Sequence, residues 1–295
     1  MDRAARWAIG SLLVGCAVLA LKTLAWRLSA SAAFFSDALE TTVNVAASAI
    51  ALYAVRLASV PADENHPYGH EKAEFFAAVI EGVLIVLAAL AIFRAAALNF
   101  AAPHGLELSG MAFAANGGAT VLNGLWSFLL GRAGRRLRST ALVADSRHLV
   151  ADVVTSVAIL AGVGCIALTG EVLIDPALAA LAGVYVLWSG VRTVSQSVGG
   201  LMDAAPDPRI VQRIRELVSE SASGAIEVHD LRTRRAGRRA YVEFHMVVPG
   251  HMSVAESHAI CDRIEAALKA EMEYLAITIH VEPEIKAKQH GVPVL

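Results

Sequence analysis

Charge is what this sequence has least of. Only 18% of its 295 residues are Asp, Glu, Lys or Arg, against 56% hydrophobic, and the mean hydropathy is +0.55. That balance excludes an ordinary water-soluble enzyme, because soluble domains carry about a quarter charged residues. A surplus of Lys and Arg is also missing. The net charge is −2 and the pI is near 6.6, so nothing favours a phosphate backbone and a nucleic-acid role has no electrostatic support. The three cysteines, Cys16, Cys165 and Cys261, stand far apart without a CxxC pair. This excludes a disulfide framework and a thiolate zinc cluster and leaves them as small apolar fillers. GxSxG, HExxH and P-loop patterns are absent as well, so an intramembrane hydrolase lacks its nucleophile or metal-water machinery and no enzyme is expected.

What charge there is falls unevenly: half of it lies in the last third of the chain. The shift divides the sequence into a membrane part, 1–200, and a soluble part, 201–295. Apolar stretches run from Ala8 to Trp26, Ala30 to Val55, Phe75 to Ala97, Met111 to Leu130, Leu142 to Leu168 and Val172 to Val194. Each is near the ~20 residues that a helix needs to cross hydrocarbon. The first has no small-residue cleavage pattern and five more follow, so it reads as a span rather than a signal peptide. The expected fold is an all-α bundle of six transmembrane helices followed by a cytoplasmic α+β domain.

Short-loop cations set the orientation. The loop after span four holds Arg132, Arg135, Arg136 and Arg138, whereas Ala95 to Gly110 and the turn TGEVLIDP have neither Lys nor Arg. The former is placed inside and the latter two outside. Arg3 and Arg6 agree with an inside N-terminus; Lys22 and Arg27 disagree mildly. Six spans then put both termini and the charged domain in the cytoplasm.

The polar residues inside the spans carry the functional signal, since an acid at the centre of a hydrophobic helix costs about 2.5–3.5 kcal/mol on insertion scales. SDALETTVNVAAS in span two and ADSRHLVADVVTS in span five superpose without a gap. Asp37 then matches Asp145, Glu40 matches His148, Asn44 matches Asp152 and Ser48 matches Ser156. Offsets of 3, 4 and 4 keep each set on one helical face. Two such stripes facing each other make a cage in which Glu40, Asn44, His148 and Asp152 offer carboxylate, amide and imidazole donors suited to a divalent first-row metal. The plainer alternative is polar glue between helices. Asp37 and Asp145 read as accessory groups at the mouth, a relay or helix-end charges.

A second constellation lies in the loop PADENHPYGHEKAE. His66 and His70 stand in an HxxxH spacing that binds zinc when helical, but Pro67 and Gly69 make a regular helix improbable; two exposed loop histidines are the alternative. In the tail, Ile210, Val211, Ile214, Leu217 and Val218 follow Pro208 at helical spacing, VHDLRTR and RAYVEFHMVV flank a turn at Gly237, a second helix spans Val254 to Met272, and YLAITIHVEP alternates as a last strand. Thr278, His280 and Glu282 share one face of that strand, and His245 shares a face with Glu243.

The paired stripes resemble the HxxxD and DxxxD motifs of the cation diffusion facilitator family, proton-coupled exporters of divalent metals. The resemblance also covers the PADENHPYGHEKAE loop, Asp175–Pro176 opening span six, and the tail starting at GLMDAAPD, with VHDLRTR and ITIHVEP resembling the bacterial iron/zinc efflux members. It implies a multi-pass protein of the bacterial inner (plasma) membrane, working as a homodimer among lipids, with metal and protons as substrates. It implies a second metal on Asp63, His66 and His70, and a ferredoxin-like, metallochaperone-type tail in which His229, His245, His258, His280 and Glu282 bind regulatory metal at the dimer contact. Lys72 and Asp203 would form a charge interlock between membrane and cytoplasmic parts.

Two departures stand out. The family usually has His or Asp where Glu40 stands, and almost always Asp where Asn44 stands. An amide oxygen binds a cation weakly and neither takes nor releases a proton at neutral pH. Zn²⁺ or Fe²⁺ is the expected ion, with Mn²⁺, Co²⁺, Ni²⁺ or Cd²⁺ as further choices. The alternative is a membrane metal sensor whose transport is impaired by Asn44. His104, His251 and His290 have no partner motif and read as bystanders.

Overall fold

The structure, a computed structural model, describes residues 3–29, 32–101, 110–169, 171, 173–272, 274–288 and 292–293. The chain divides into two compact units at Val198/Gly199.

Among the described residues the first unit contains six long helices: α1 (Arg3–Ser29), α2 (Ala32–Ala58), α3 (Ala73–Ala101), α4 (Gly110–Leu137), α5 (Thr140–Thr169) and α6 (Ile174–Leu201), the last turn of which runs into the second unit. Four stretches among the described residues are long and apolar enough to cross a membrane: Arg3–Arg27, Thr41–Ala58, Ala73–Ala101 and Pro176–Leu201. α1 packs on α2 and α4, α4 on α5, and α5 on α2 and α3. The contacts are made largely by small residues, among them Ala4, Ala8, Ala51, Ala54, Ala77 and Ala141, which let helix backbones approach closely. Gly82 marks the tightest case between α3 and α6: a Cβ there would lie 2.7 Å from Val194 Cγ2.

Polarity in this unit is inverted relative to a soluble protein. Leu13, Phe76, Val121, Phe128 and Leu181 point outward and are all at least 60% exposed, while Lys22, Asn44, Glu74, Glu81, Asn123, Asp145, His148 and Asp152 are buried. An apolar exterior around a polar interior is what a hydrocarbon solvent selects. One expectation is corrected here. Arg132, Arg135 and Arg136 are not in a loop but on the last turns of α4, and only Arg138, at φ 54°, sits in the connection. Arginine is a good helix former, so the helix continues past its apolar stretch.

The second unit runs α7 (Pro208–Ser221), β1 (Glu227–Ala236), β2 (Arg239–Val248), α8 (Val254–Glu271), β3 (Leu275–Pro283), a short 3₁₀ turn and β4 (Val292–Pro293). Asp207 caps α7 by accepting from the Arg209 N–H at 2.9 Å, with Pro208 in the first helical position. α8 starts in a reciprocal capping box between Ser253 and Glu256. β1 and β2 form an antiparallel hairpin across a two-residue turn whose first residue, Gly237, takes φ 56°. β3 joins β2 in parallel, giving the sheet order β3-β2-β1-β4. The expected helix–strand–strand–helix–strand order is present; β4, an edge pairing of two residues on β1, was not expected from the sequence. Ile214, Leu217, Val218, Val242, Phe244, Met246, Ile260, Ile264 and Leu268 fill the core between the helices and one sheet face.

Candidate functional site

α5 places Asp145, His148 and Asp152 on one face, and that face is buried against α2. The His148 Nε2–H donates to Asn44 Oδ1 of α2 at 2.5 Å, which leaves His148 Nδ1 as a buried acceptor without a hydrogen-bond partner. Asn44 Nδ2 and Ser156 Oγ are also buried and unpaired. Native interiors leave few such atoms; of these three the His148 nitrogen and the Ser156 oxygen have lone pairs to offer, whereas the Asn44 NH₂ can only donate. The structure joins Asn44 to His148 across the two helices and buries Asp152 one turn further along α5. The side chains of Asp37, Glu40 and Asp175 lie outside the described residues.

Asp152 is held by groups that sequence reasoning missed. Lys22 Nζ of α1 donates to its two oxygens at 3.0 and 3.1 Å, and Asn123 Nδ2 of α4 donates to Oδ2 at 2.6 Å. Two turns nearer the start of α5, Asp145 accepts from Ser11 Oγ at 2.6 Å and from Ser48 Oγ at 2.9 Å. Ser48 thus reaches Asp145 rather than mirroring Ser156. Glu81 of α3 is fully buried with no hydrogen-bond partner for either oxygen, within range of repulsion from Asp145.

The loop cluster forms without a helix, as Pro67 and Gly69 dictate. Asp63 Oδ1 accepts from the N–H groups of Asn65 at 3.0 Å and His66 at 2.7 Å, folding the segment into a tight turn. That turn brings His66 Nδ1 to 3.3 Å from Asp63 Oδ1 and His70 Nε2 to 3.4 Å from Asp63 Oδ2, with the two histidine nitrogens 3.1 Å apart. The hydrogen bond from the His66 N–H, aided by the field of His70, holds the Asp63 carboxyl below its ordinary range. One carboxylate and two imidazoles converging on one point suit a divalent metal, and the three expected residues come together.

In the second unit, strand register assembles the third cluster. His229 of β1 pairs with His245 of β2, and His245 pairs with His280 of β3. The three rings form a row with centroids 5.3 and 4.9 Å apart. Glu282 lies beneath it, 3.5 Å from His245 Nδ1 and 3.7 Å from His280 Nε2. It is also 3.2 Å from His229 Nε2, although that nitrogen is not aligned for a hydrogen bond. A bulge after His229 turns Asp230 (φ 52°) toward the row, so His229, Asp230 and His245 also group as ligands. The hydrogen bond from Lys288 at 2.7 Å keeps the Asp230 carboxyl below its usual range. His258 does not join this row within one chain: it is exposed on α8, 3.6 Å from Asp262. α8 covers the sheet with Ile260, Ile264 and Leu268, which turns His258 away from the strands.

Comparison with known proteins decides the family. The cation efflux transmembrane domain matches residues 8–202 and the cytoplasmic domain of cation efflux proteins matches residues 206–284. The chain belongs to the cation efflux family. This cation diffusion facilitator is 38% identical over 286 residues to the uncharacterized transporter sll1263 of Synechocystis, covering 96% of this chain and 92% of that one. It is 31% identical over 288 residues to the cation-efflux pump FieF of Yersinia pestis (strain Pestoides F), covering 95% and 94%. A solved zinc form of the transporter CzrB is 49% identical, covers 29% of this chain and 97% of that chain, and has a TM-score of 0.28.

For a cation efflux protein, the missed residues had a signal in the sequence. Lys22 and Glu81 are lone charges in the most apolar stretches, and such charges face partners or cavities by default. Asp230 had no such mark, because its position depends on the bulge. Lys72 lies in the first unit and Asp203 in the second, where Asp203 accepts from Arg234 at 3.3 Å. His104 and His290 lie outside the described residues.

Proposed function

We propose that this cation efflux transporter is a divalent metal/proton antiporter, moving Zn²⁺, Fe²⁺ or a related first-row ion out of the cytoplasm through Glu40, Asn44, His148 and Asp152. The observation that carries this reading is the buried Asn44–His148 pair, with an unpaired imidazole nitrogen, in an apolar bundle that also buries Asp152 one turn further along α5. A metal binds only deprotonated donors, so protons arriving at His148 and the carboxylates compete with it, and that competition couples the two fluxes. Rocking of rigid helices about a midplane site exposes it to either side in turn. In this reading all six helices cross the membrane, both termini are cytoplasmic, Asp37 and Asp145 serve the mouth, and the Lys72/Asp203 charges hold the moving parts together. The loop and tail clusters bind regulatory metal, the tail having a ferredoxin-like fold and joining two protomers. Metal there biases the rocking through linkage between distinct sites.

A second reading has its own observation. Asn44 carries no charge and ties up His148, which would suit a sensor that binds metal in its tail and transports little. Proteoliposomes with an imposed pH gradient separate the two. A panel of divalent ions should show gradient-driven flux in the native chain, loss of flux in His148→Ala and Asp152→Ala, and altered ion preference in Asn44→Asp. Metal-dependent association of chains without flux would establish the sensor instead.

A further inference from the structure

Of the groups the mechanism leaves unused, Lys22 is the best defined. It is 1% exposed, the Asp152 carboxylate on which it sits is 3% exposed, and the ammonium spans both oxygens at 3.0 and 3.1 Å. With Asn123 Nδ2 at 2.6 Å on Oδ2 as well, the Asp152 oxygens are committed to donors. A metal ion cannot take Asp152 as a ligand until the ammonium withdraws.

We infer that Lys22 is a tethered counter-cation of the transport site: its ammonium occupies Asp152 between metal-loading events and is displaced by the incoming divalent ion. The inference rests on the reading of Asp152 as a transport ligand. A buried carboxylate without a partner is costly, and an exchange of ammonium for metal leaves Asp152 paired at every stage. The lysine stem has four flexible carbons and a compact head, so a change of rotamer moves the charge away while α1 stays in place. Because it competes with the metal for one carboxylate, it weakens binding and speeds release, both of which a pump requires. It also favours a doubly charged cargo, since replacing one positive charge by another single charge gains nothing electrostatically.

Lys22→Gln tests this in the full-length chain reconstituted in liposomes, with Zn²⁺ as the probe. The neutral variant should bind Zn²⁺ ~10-fold or more tightly, as loss of a positive charge a few ångström from a divalent ion demands. Its apparent KM should fall and its maximal rate should fall with it, because release loses its competitor. Zn²⁺ should also raise the variant's thermal midpoint more than the native one. Lys22→Arg keeps the charge and should not tighten Zn²⁺ binding as Lys22→Gln does. Unchanged or weaker Zn²⁺ binding in folded Lys22→Gln, or Lys22→Arg behaving like Lys22→Gln, overturns the inference. If Lys22→Gln does not fold, Lys22→Met, which keeps the volume of the stem, takes its place: Zn²⁺ binding must tighten in it too, and unchanged or weaker binding overturns the inference. Absence of flux and binding in the native chain would sink the transport reading itself; native flux with indifferent Lys22 variants sinks only the role of Lys22.

Discussion

The buried carboxylate of Glu74 ties two helices together, and its removal should loosen the helix that carries His148 and Asp152, the proposed transport ligands. Glu74 is 1% exposed near the start of α3, and its Oε2 accepts from Ser139 Oγ at 2.6 Å and from the Ala141 N–H at 3.3 Å. Ser139 immediately precedes α5 and also receives the Leu142 N–H on its own Oγ at 3.4 Å. Glu74 therefore caps α5 from a neighbouring helix. Hydrogen bonds to a charged acceptor contribute about 1.5–3 kcal/mol, and an anion at a partly buried helix N-terminus contributes up to ~2 kcal/mol. The contributions overlap, so Glu74→Ala should cost about 3 kcal/mol, whereas Glu74→Gln, which keeps an acceptor oxygen and loses the charge, should cost about 1 kcal/mol. Urea titration of the detergent-solubilised chain followed by tryptophan fluorescence gives the two values, and hydrogen exchange at residues 140–143 locates the effect. A Glu74→Ala chain within about 0.5 kcal/mol of native, or a Gln variant as damaged as the Ala variant, would refute the capping argument.

Three other outcomes follow from the same geometry. Asp152→Asn strands the Lys22 ammonium in the interior and should cost about 3–5 kcal/mol by the same titration; a loss below 1 kcal/mol would mean that the pair is solvated. Asp63→Asn should remove one bound metal per chain in calorimetric titration. In the second unit, Arg213 hydrogen-bonds Glu271 at 2.6 Å and lowers its carboxyl from the ordinary 4.5. The depressed folded value means that the pair's contribution is present above that ordinary value and is lost as the pH falls through the folded one. Native and Glu271→Gln chains should therefore differ at pH ~7, modestly because the pair is exposed, and converge in strong acid. A difference that grows on acidification would contradict the pairing.

Much of this molecule can be read before it is folded, because the dominant forces are periodic. Apolar runs mark the six long helices, and alternation along ITIHVEP puts His280 and Glu282 on one strand face, where register then delivers His229 and His245. The offsets in span five likewise place His148 and Asp152 together in the interior. What escaped depends on rotation and backbone detail that periodicity does not encode. Asp230 joins the tail cluster only through a left-handed bulge, and α4 runs on through arginines that looked like a loop.

The partners of α5 on α1 show how such detail follows from simple geometry. Ser11 meets Asp145 and Lys22 meets Asp152. Eleven residues of α1 rise about 16 Å, whereas the seven from Asp145 to Asp152 rise only about 10 Å. The roughly 6 Å left over is the length of an extended lysine side chain, and Cβ bonds tilt toward the helix N-terminus, so Lys22 reaches back down the bundle to close the gap. Eleven residues is also close to three full turns and seven close to two, which keeps both contacts on a single face of each helix. A serine or aspartate at position 22 could not make the reach. In this way the first helix supplies hydroxyl and ammonium donors to the two buried acids of α5, and both stay paired on a scaffold that is apolar outside.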